Sequence, residues 1–159
     1  MMKSKWLWLV IAAAPVVAAS LIGNAATMPN IPIWYAGLAK PWFTPPNWVF
    51  GPVWTTLYAL MIWAFWHVLR APADHPGRRT AIIVFLFQIA LNAGWSITFF
   101  GFKQLGLGVV VSALLETSVI ATVLTFRRIG LGPALAVAPT VLWVAYATML
   151  NAVIWQMNG

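Results

Sequence analysis

Charge in this chain is confined to short clusters. Between them run Trp6 to Ala39, Pro41 to Leu69, Thr80 to Phe102 and Ile129 to Gly159 without one Asp, Glu, Lys or Arg, and a fifth run, Gln104 to Phe126, is interrupted only by Glu116. A helix adds about 1.5 Å per residue, so roughly 20 residues cross the hydrocarbon core of a bilayer. Five such runs predict five spans. They are solidly apolar rather than alternating in segments of about 10 residues, which excludes a transmembrane barrel. The expected fold is an all-α membrane protein, a five-transmembrane-helix bundle forming one domain over residues 1–159. With 62% of residues hydrophobic and 7% charged, no material is left for a separate soluble domain.

The charge clusters also set orientation. Lys3 and Lys5, then Arg70, Arg78 and Arg79, then Arg127 and Arg128 fall on one side of the bundle, and only Lys40 and Lys103 on the other. That asymmetry predicts a cytoplasmic N-terminus and an outward C-terminus. Scattered this way, the bases form no patch for nucleic acid, and the lipid bilayer, with its anionic headgroups, is the expected partner. Lys3 and Lys5 ahead of small residues at Ala18 to Ser20 also fit a signal peptide, but the apolar run continues to Ala26, long enough to span. Compact basic loops point to an integral protein of a bacterial cell envelope. Pro29 and Pro32 predict that the first helix ends near Asn24 to Thr27 and that an irregular Pro/Trp-rich loop, residues 28–46, follows.

Eleven tryptophans are distributed unevenly in depth. Trp6, Trp8, Trp34, Trp42, Trp48 and Trp155 fall near predicted helix ends, where an indole anchors at the headgroups. Trp54, Trp63, Trp66, Trp95 and Trp143 lie deeper, where they either pack helices or line a cavity. Helical spacing sorts the deep residues into stripes: Trp54, Tyr58 and Met61 on helix two, Gln88, Asn92, Trp95 and Phe99 on helix three, and Trp143, Ala147, Leu150 and Asn151 on helix five. Facing inward together, these make either ordinary helix packing or a pocket for a flat, mostly apolar ligand. Ala90, Gly94 and Thr98 make a small-residue stripe suited to close approach by another helix, within the chain or in a homodimer.

Other chemistry is sparse. Without cysteine there is no disulfide, thiolate metal site or cysteine nucleophile. His67 and His75 have no second ligand at metal-site spacing, so no metal is expected. Glu116 is the one acid within a span, to be kept neutral, paired or used, and a proton-coupled small transporter built on it is one alternative.

The densest signal is WYAGLAKPWFTPPNWVFGPVW, Trp34 to Trp54, whose prolines stiffen the backbone and whose aromatics give it something to pack with, so an ordered lid is expected. This stretch resembles the tryptophan-rich sensory protein, or TspO, family, whose mitochondrial relatives are the translocator proteins or peripheral-type benzodiazepine receptors. Trp34, Tyr35, Lys40, Pro41, Pro45 and Pro46 match its loop motif. Gln88, Leu91, Asn92, Trp95, Phe99, Phe100 and Gly101 match on helix three, and Trp143, Ala147, Thr148, Met149, Leu150 and Asn151 on helix five.

The resemblance implies a five-helix bundle, often a homodimer, with an aromatic pocket beneath the loop. Its implied ligands are tetrapyrroles such as protoporphyrin IX or haem-like molecules, drug-like hydrophobic compounds and, in animals, cholesterol. No bound cofactor is required. The pocket positions carried over are Trp54, Asn92, Trp95, Trp143, Ala147, Leu150 and Asn151, to which Trp34, Pro46, Trp48 and Tyr58 are added as candidate ligand-binding residues. Trp54, Trp95 and Trp143 are expected as stacking walls, Asn92 and Asn151 as orienting donors, and Lys40 as the base nearest a porphyrin's propionates. Phe43 replaces the motif's usual Trp, and Thr140 stands where a Tyr often follows proline. Ala152 and Gln156 replace the aromatic and basic residues of the animal sterol stretch, so weak sterol binding is expected.

The leading expectation is therefore a ligand-binding membrane protein that senses, sequesters or moves tetrapyrroles without covalent chemistry. The enzymatic alternative, light-dependent porphyrin breakdown, would use the pair Trp54 and Trp143 as its catalytic residues.

Overall fold

The computed structural model describes residues 2–159, with side chains from Ser4 onward, so the side chain of Lys3 lies outside the described residues. Five long helices carry the chain back and forth: α1 (Met2–Thr27), α2 (Asn47–Leu69), α3 (Arg78–Ser96), α4 (Leu105–Arg127) and α5 (Leu131–Asn158). All five are long and apolar enough to cross a membrane. The 23 residues of α2 alone extend about 35 Å. Packing closes a ring in which α1 lies between α2 and α3, α4 between α3 and α5, and α2 meets α5, with α4 and α5 sharing the largest interface.

Two features let the helices approach. A Cβ on Gly108 of α4 would lie 2.9 Å from Asn151 Oδ1 of α5 and 3.2 Å from the Phe99 ring, so glycine is required where α3, α4 and α5 converge. Gly23 of α1 does the same against Ser96 Oγ of α3, at 3.2 Å. At the basic end the core is a run of rings from three helices, Phe65 on Phe85 at 4.2 Å and Phe85 on Phe126 at 5.6 Å, packed among Met61, Val68, Val119 and Val137. In lipid this interdigitation, rather than escape from water, holds the bundle together.

The segment after α1 differs from expectation. It is not irregular: helical path continues through a 3₁₀ turn, Met28–Asn30, and a π-helical segment, Ile31–Tyr35. Pro29 and Pro32 each occupy the first turn of these short elements, where the missing N–H is an orphan donor anyway. Only residues 36–46 form the loop proper. The Pro46 backbone, at φ −54° and ψ 144°, is extended and starts α2. A second π-helical segment, Ile97–Gly101, prolongs α3, and Lys103, at φ 58°, turns the chain into α4.

Among the tryptophans assigned to depth, Trp63 and Trp66 pack helices rather than line the cavity. Trp63, 43% exposed, lies against Gly132 of α5, and Trp66 packs on the core and donates Nε1 to the Lys5 carbonyl at 3.2 Å while Arg70 covers its ring at 4.4 Å. The Ala90–Gly94–Thr98 stripe receives no helix of its own chain at its centre, since a Cβ on Gly94 meets nothing within 4 Å.

Candidate functional site

A cavity of about 510 Å³ lies in the half of the bundle away from the arginine-bearing connections. Its walls are aromatic. On α2, Trp54 lies 5.3 Å from the Tyr58 ring, tilted by 31°. Across from it on α5, Trp143 packs edge-on to Phe50 at 5.7 Å. Trp95 of α3 stacks on Phe99 at 5.3 Å, backing the third wall. Leu150 and Ile154 close the side toward α4, and Ala147 leaves room where a larger residue would intrude.

Nine of the eleven candidate residues line this space: Trp48, Trp54, Tyr58, Asn92, Trp95, Trp143, Ala147, Leu150 and Asn151. The other two stand outside it. Trp34 is turned into a nest of rings, 5.6 Å from Phe99 and 6.2 Å from Phe100, and Pro46 is the residue that starts α2. Its neighbour Tyr35, rather than Trp34, reaches the cavity. The α1 contribution was also missed: Ser20, Asn24 and Thr27 line the cavity together. Their spacing of four and three residues is a polar stripe on an otherwise apolar helix, a signal present in the sequence.

Hydrogen bonding separates committed polar groups from free ones. Asn151 is held at both ends of its amide: its Oδ1 accepts from Trp95 Nε1 at 3.1 Å and its Nδ2 donates to the Leu105 carbonyl at 3.1 Å. Asn151 is therefore a bracket between α3, α4 and α5, with one N–H of the amide left over. Asn92 is half-used. Tyr58 Oη donates to its Oδ1 at 2.8 Å, while Nδ2 is buried with no partner. Trp143 Nε1 is likewise buried and unpartnered. Both atoms are sealed from the open volume of the cavity although their residues line it, and each lost hydrogen bond costs about 1–3 kcal/mol.

Among the described residues no charged side chain lines the cavity. Lys40, expected near its mouth, is spent on its own loop: Nζ donates to the carbonyls of Tyr35 at 2.6 Å and Leu38 at 2.9 Å and lies 4.7 Å from the centre of the Tyr35 ring. It caps the π-helical segment as a cation caps a helix C-terminus. The loop is fixed to α5 as well. Asn158 donates Nδ2 to the Ala39 carbonyl at 2.8 Å and accepts the Ala39 N–H at 2.9 Å, and Tyr146 Oη donates to the Phe43 carbonyl at 2.7 Å. An ordered loop was expected, but residues 36–46 do not themselves line the cavity, whose roof is Ile31 and Tyr35.

Glu116 lies off the cavity on α4, with Oε2 buried and without a hydrogen-bond partner. Among the described residues no three His, Asp or Glu side chains come together.

Five helices able to span a bilayer, packed around an aromatic cavity, define an integral membrane protein. The family follows from comparison: residues 11–156 match the TspO/MBR family, and the chain belongs to it. It is 35% identical over 152 residues to the tryptophan-rich protein TspO of Archaeoglobus fulgidus, covering 91% of this chain and 92% of that one. Similarity to the protein of the same name from Chlorobaculum tepidum is 34% over 142 residues, 89% and 90% of the two chains. The human translocator protein is 34% identical over 126 residues, 79% of this chain and 75% of its own.

Proposed function

We propose that the chain binds tetrapyrroles of the protoporphyrin IX or haem-like class, and related flat hydrophobic ligands, in the cavity between α2, α3 and α5, for sensing, sequestration or transport. The observation that carries this reading is that three indole side chains, Trp54, Trp95 and Trp143, come from three helices to line one cavity of about 510 Å³. Flat rings stack on indole faces. With no charged residue in the lining, the macrocycle occupies the interior and its propionates stay at the wet margin. Titration of the purified protein with protoporphyrin IX, read by tryptophan quenching, tests this. Saturable quenching is expected, and a linear inner-filter response alone refutes it.

A second reading, light-dependent porphyrin breakdown with dioxygen as the oxidant, is favoured by one feature: Trp54 and Trp143 each have a tyrosine ring alongside, Tyr58 at 5.3 Å and Tyr146 at 5.7 Å, in a cluster of oxidisable rings. Product analysis after illumination, with a dark control, separates turnover from binding.

The partner reading is a homodimer. The uncovered Gly94 face of α3 is where a second copy fits, and crosslinking in membranes of a cysteine placed at Ala90 tests it.

A further inference from the structure

We infer that ligand enters and leaves this cavity sideways from the bilayer, through a polar-edged gap between α1 and α2, while the loop over it stays shut. Exposure of the lining is one-sided. Its residues on α3 and α5 are buried or half-buried, whereas Asn24 of α1, Met28 of the 3₁₀ turn after it, and Asn47, Gly51 and Thr55 of α2 are exposed while still bordering the cavity. A Cβ built on Gly51 meets no atom within 4 Å, so the gap is open at that point. At the opposite end the same two helices are joined by the bond from Trp66 Nε1 to the Lys5 carbonyl.

The alternative route, upward through the loop, is barred by named bonds. Asn158 holds Ala39 through both its backbone groups, Tyr146 holds the Phe43 carbonyl, and Lys40 ties the carbonyls of Tyr35 and Leu38 together. Lifting the loop breaks the bonds to Asn158 and Tyr146 together, whereas the gap asks for none. Its edges fit an amphiphile: Ser20, Asn24 and Thr27 face the cavity from α1, and Asn47 and Thr55 from α2, two polar tracks flanking an apolar interior. A flat molecule sliding edge-on keeps its polar rim on those tracks and its apolar faces toward lipid and indole.

The route presumes that the cavity is the ligand site proposed above, but its test uses no tetrapyrrole, so the two readings fail separately. Because the chain has no cysteine, Ala147→Cys places a single thiol in the cavity wall. Its labelling by membrane-dissolved N-phenylmaleimide is timed in vesicles. Adding Gly51→Phe is expected to slow labelling about fivefold or more, and Asn158→Ala to change it by less than about twofold. If Gly51→Phe does not fold, Asn24→Phe narrows the gap from the other side with the same expectation. Unchanged labelling when the gap is narrowed overturns the inference, as does acceleration of about fivefold or more on releasing the loop through Asn158→Ala.

Discussion

Trp95 and Asn151, 56 positions apart, are joined by an indole hydrogen bond of 3.1 Å, and the Asn151 amide continues it to the Leu105 carbonyl. One side chain thus ties three helices behind the cavity. Asn151→Leu leaves Trp95 Nε1 without its partner at a partly buried site, at a cost of about 1–3 kcal/mol before relaxation, while the Leu105 carbonyl keeps its bond within α4. The expected outcome is a lower unfolding midpoint in detergent. Loss of porphyrin affinity at unchanged stability would instead make Asn151 a ligand contact.

Lys40 bonds carbonyls of its own loop rather than waiting for a carboxylate. Lys40→Met is therefore expected to weaken binding of protoporphyrin IX and of its dimethyl ester by the same factor, because it loosens the roof. Affinity for both ligands is measured by tryptophan quenching. A loss of about tenfold for the diacid alone, near 1.4 kcal/mol, would show an ion pair to the propionates.

Glu116 does not line the cavity. Glu116→Gln should leave porphyrin affinity within about twofold of the parent, measured in the same titration. A loss of about tenfold or more, together with substrate-dependent proton flux in vesicles, would revive the proton-coupled alternative.

Orientation follows from the bases at one end of the bundle, where Gly77 and Arg128 bring the α2–α3 and α4–α5 connections side by side. Reporter fusions should be cytoplasmic at the N-terminus and external at the C-terminus. A cytoplasmic C-terminal reporter contradicts the proposed orientation with five spans.

The spans were legible because charge is nearly absent within them, and a membrane enforces that absence more strictly than a soluble core does. The inward stripes of α2, α3 and α5 were legible too, since helical spacing placed Trp54, Tyr58, Asn92, Trp95, Trp143 and Asn151 on shared faces. Periodicity does not say which polar atoms are already taken. Asn92 and Asn151 read alike in sequence, yet the neighbours that hold Asn151, Trp95 and the Leu105 carbonyl, come from other helices. The α1 wall escaped for a different reason: Ser20, Asn24 and Thr27 are small polar residues of the kind that helices commonly use in packing. Pro29 and Pro32 looked like terminators, and only the observed 3₁₀ and π turns show a backbone that accommodates them.

Titration of Trp54→Phe, Trp143→Phe and Trp66→Phe with protoporphyrin IX tests the proposed tetrapyrrole site most directly, since Trp54 and Trp143 both line the cavity. Each cavity replacement is expected to weaken binding by about 1 kcal/mol. Trp66, bonded to the Lys5 carbonyl away from the cavity, should be indifferent. Parent-like affinity in both cavity variants, with binding lost in Trp66→Phe, would contradict the site.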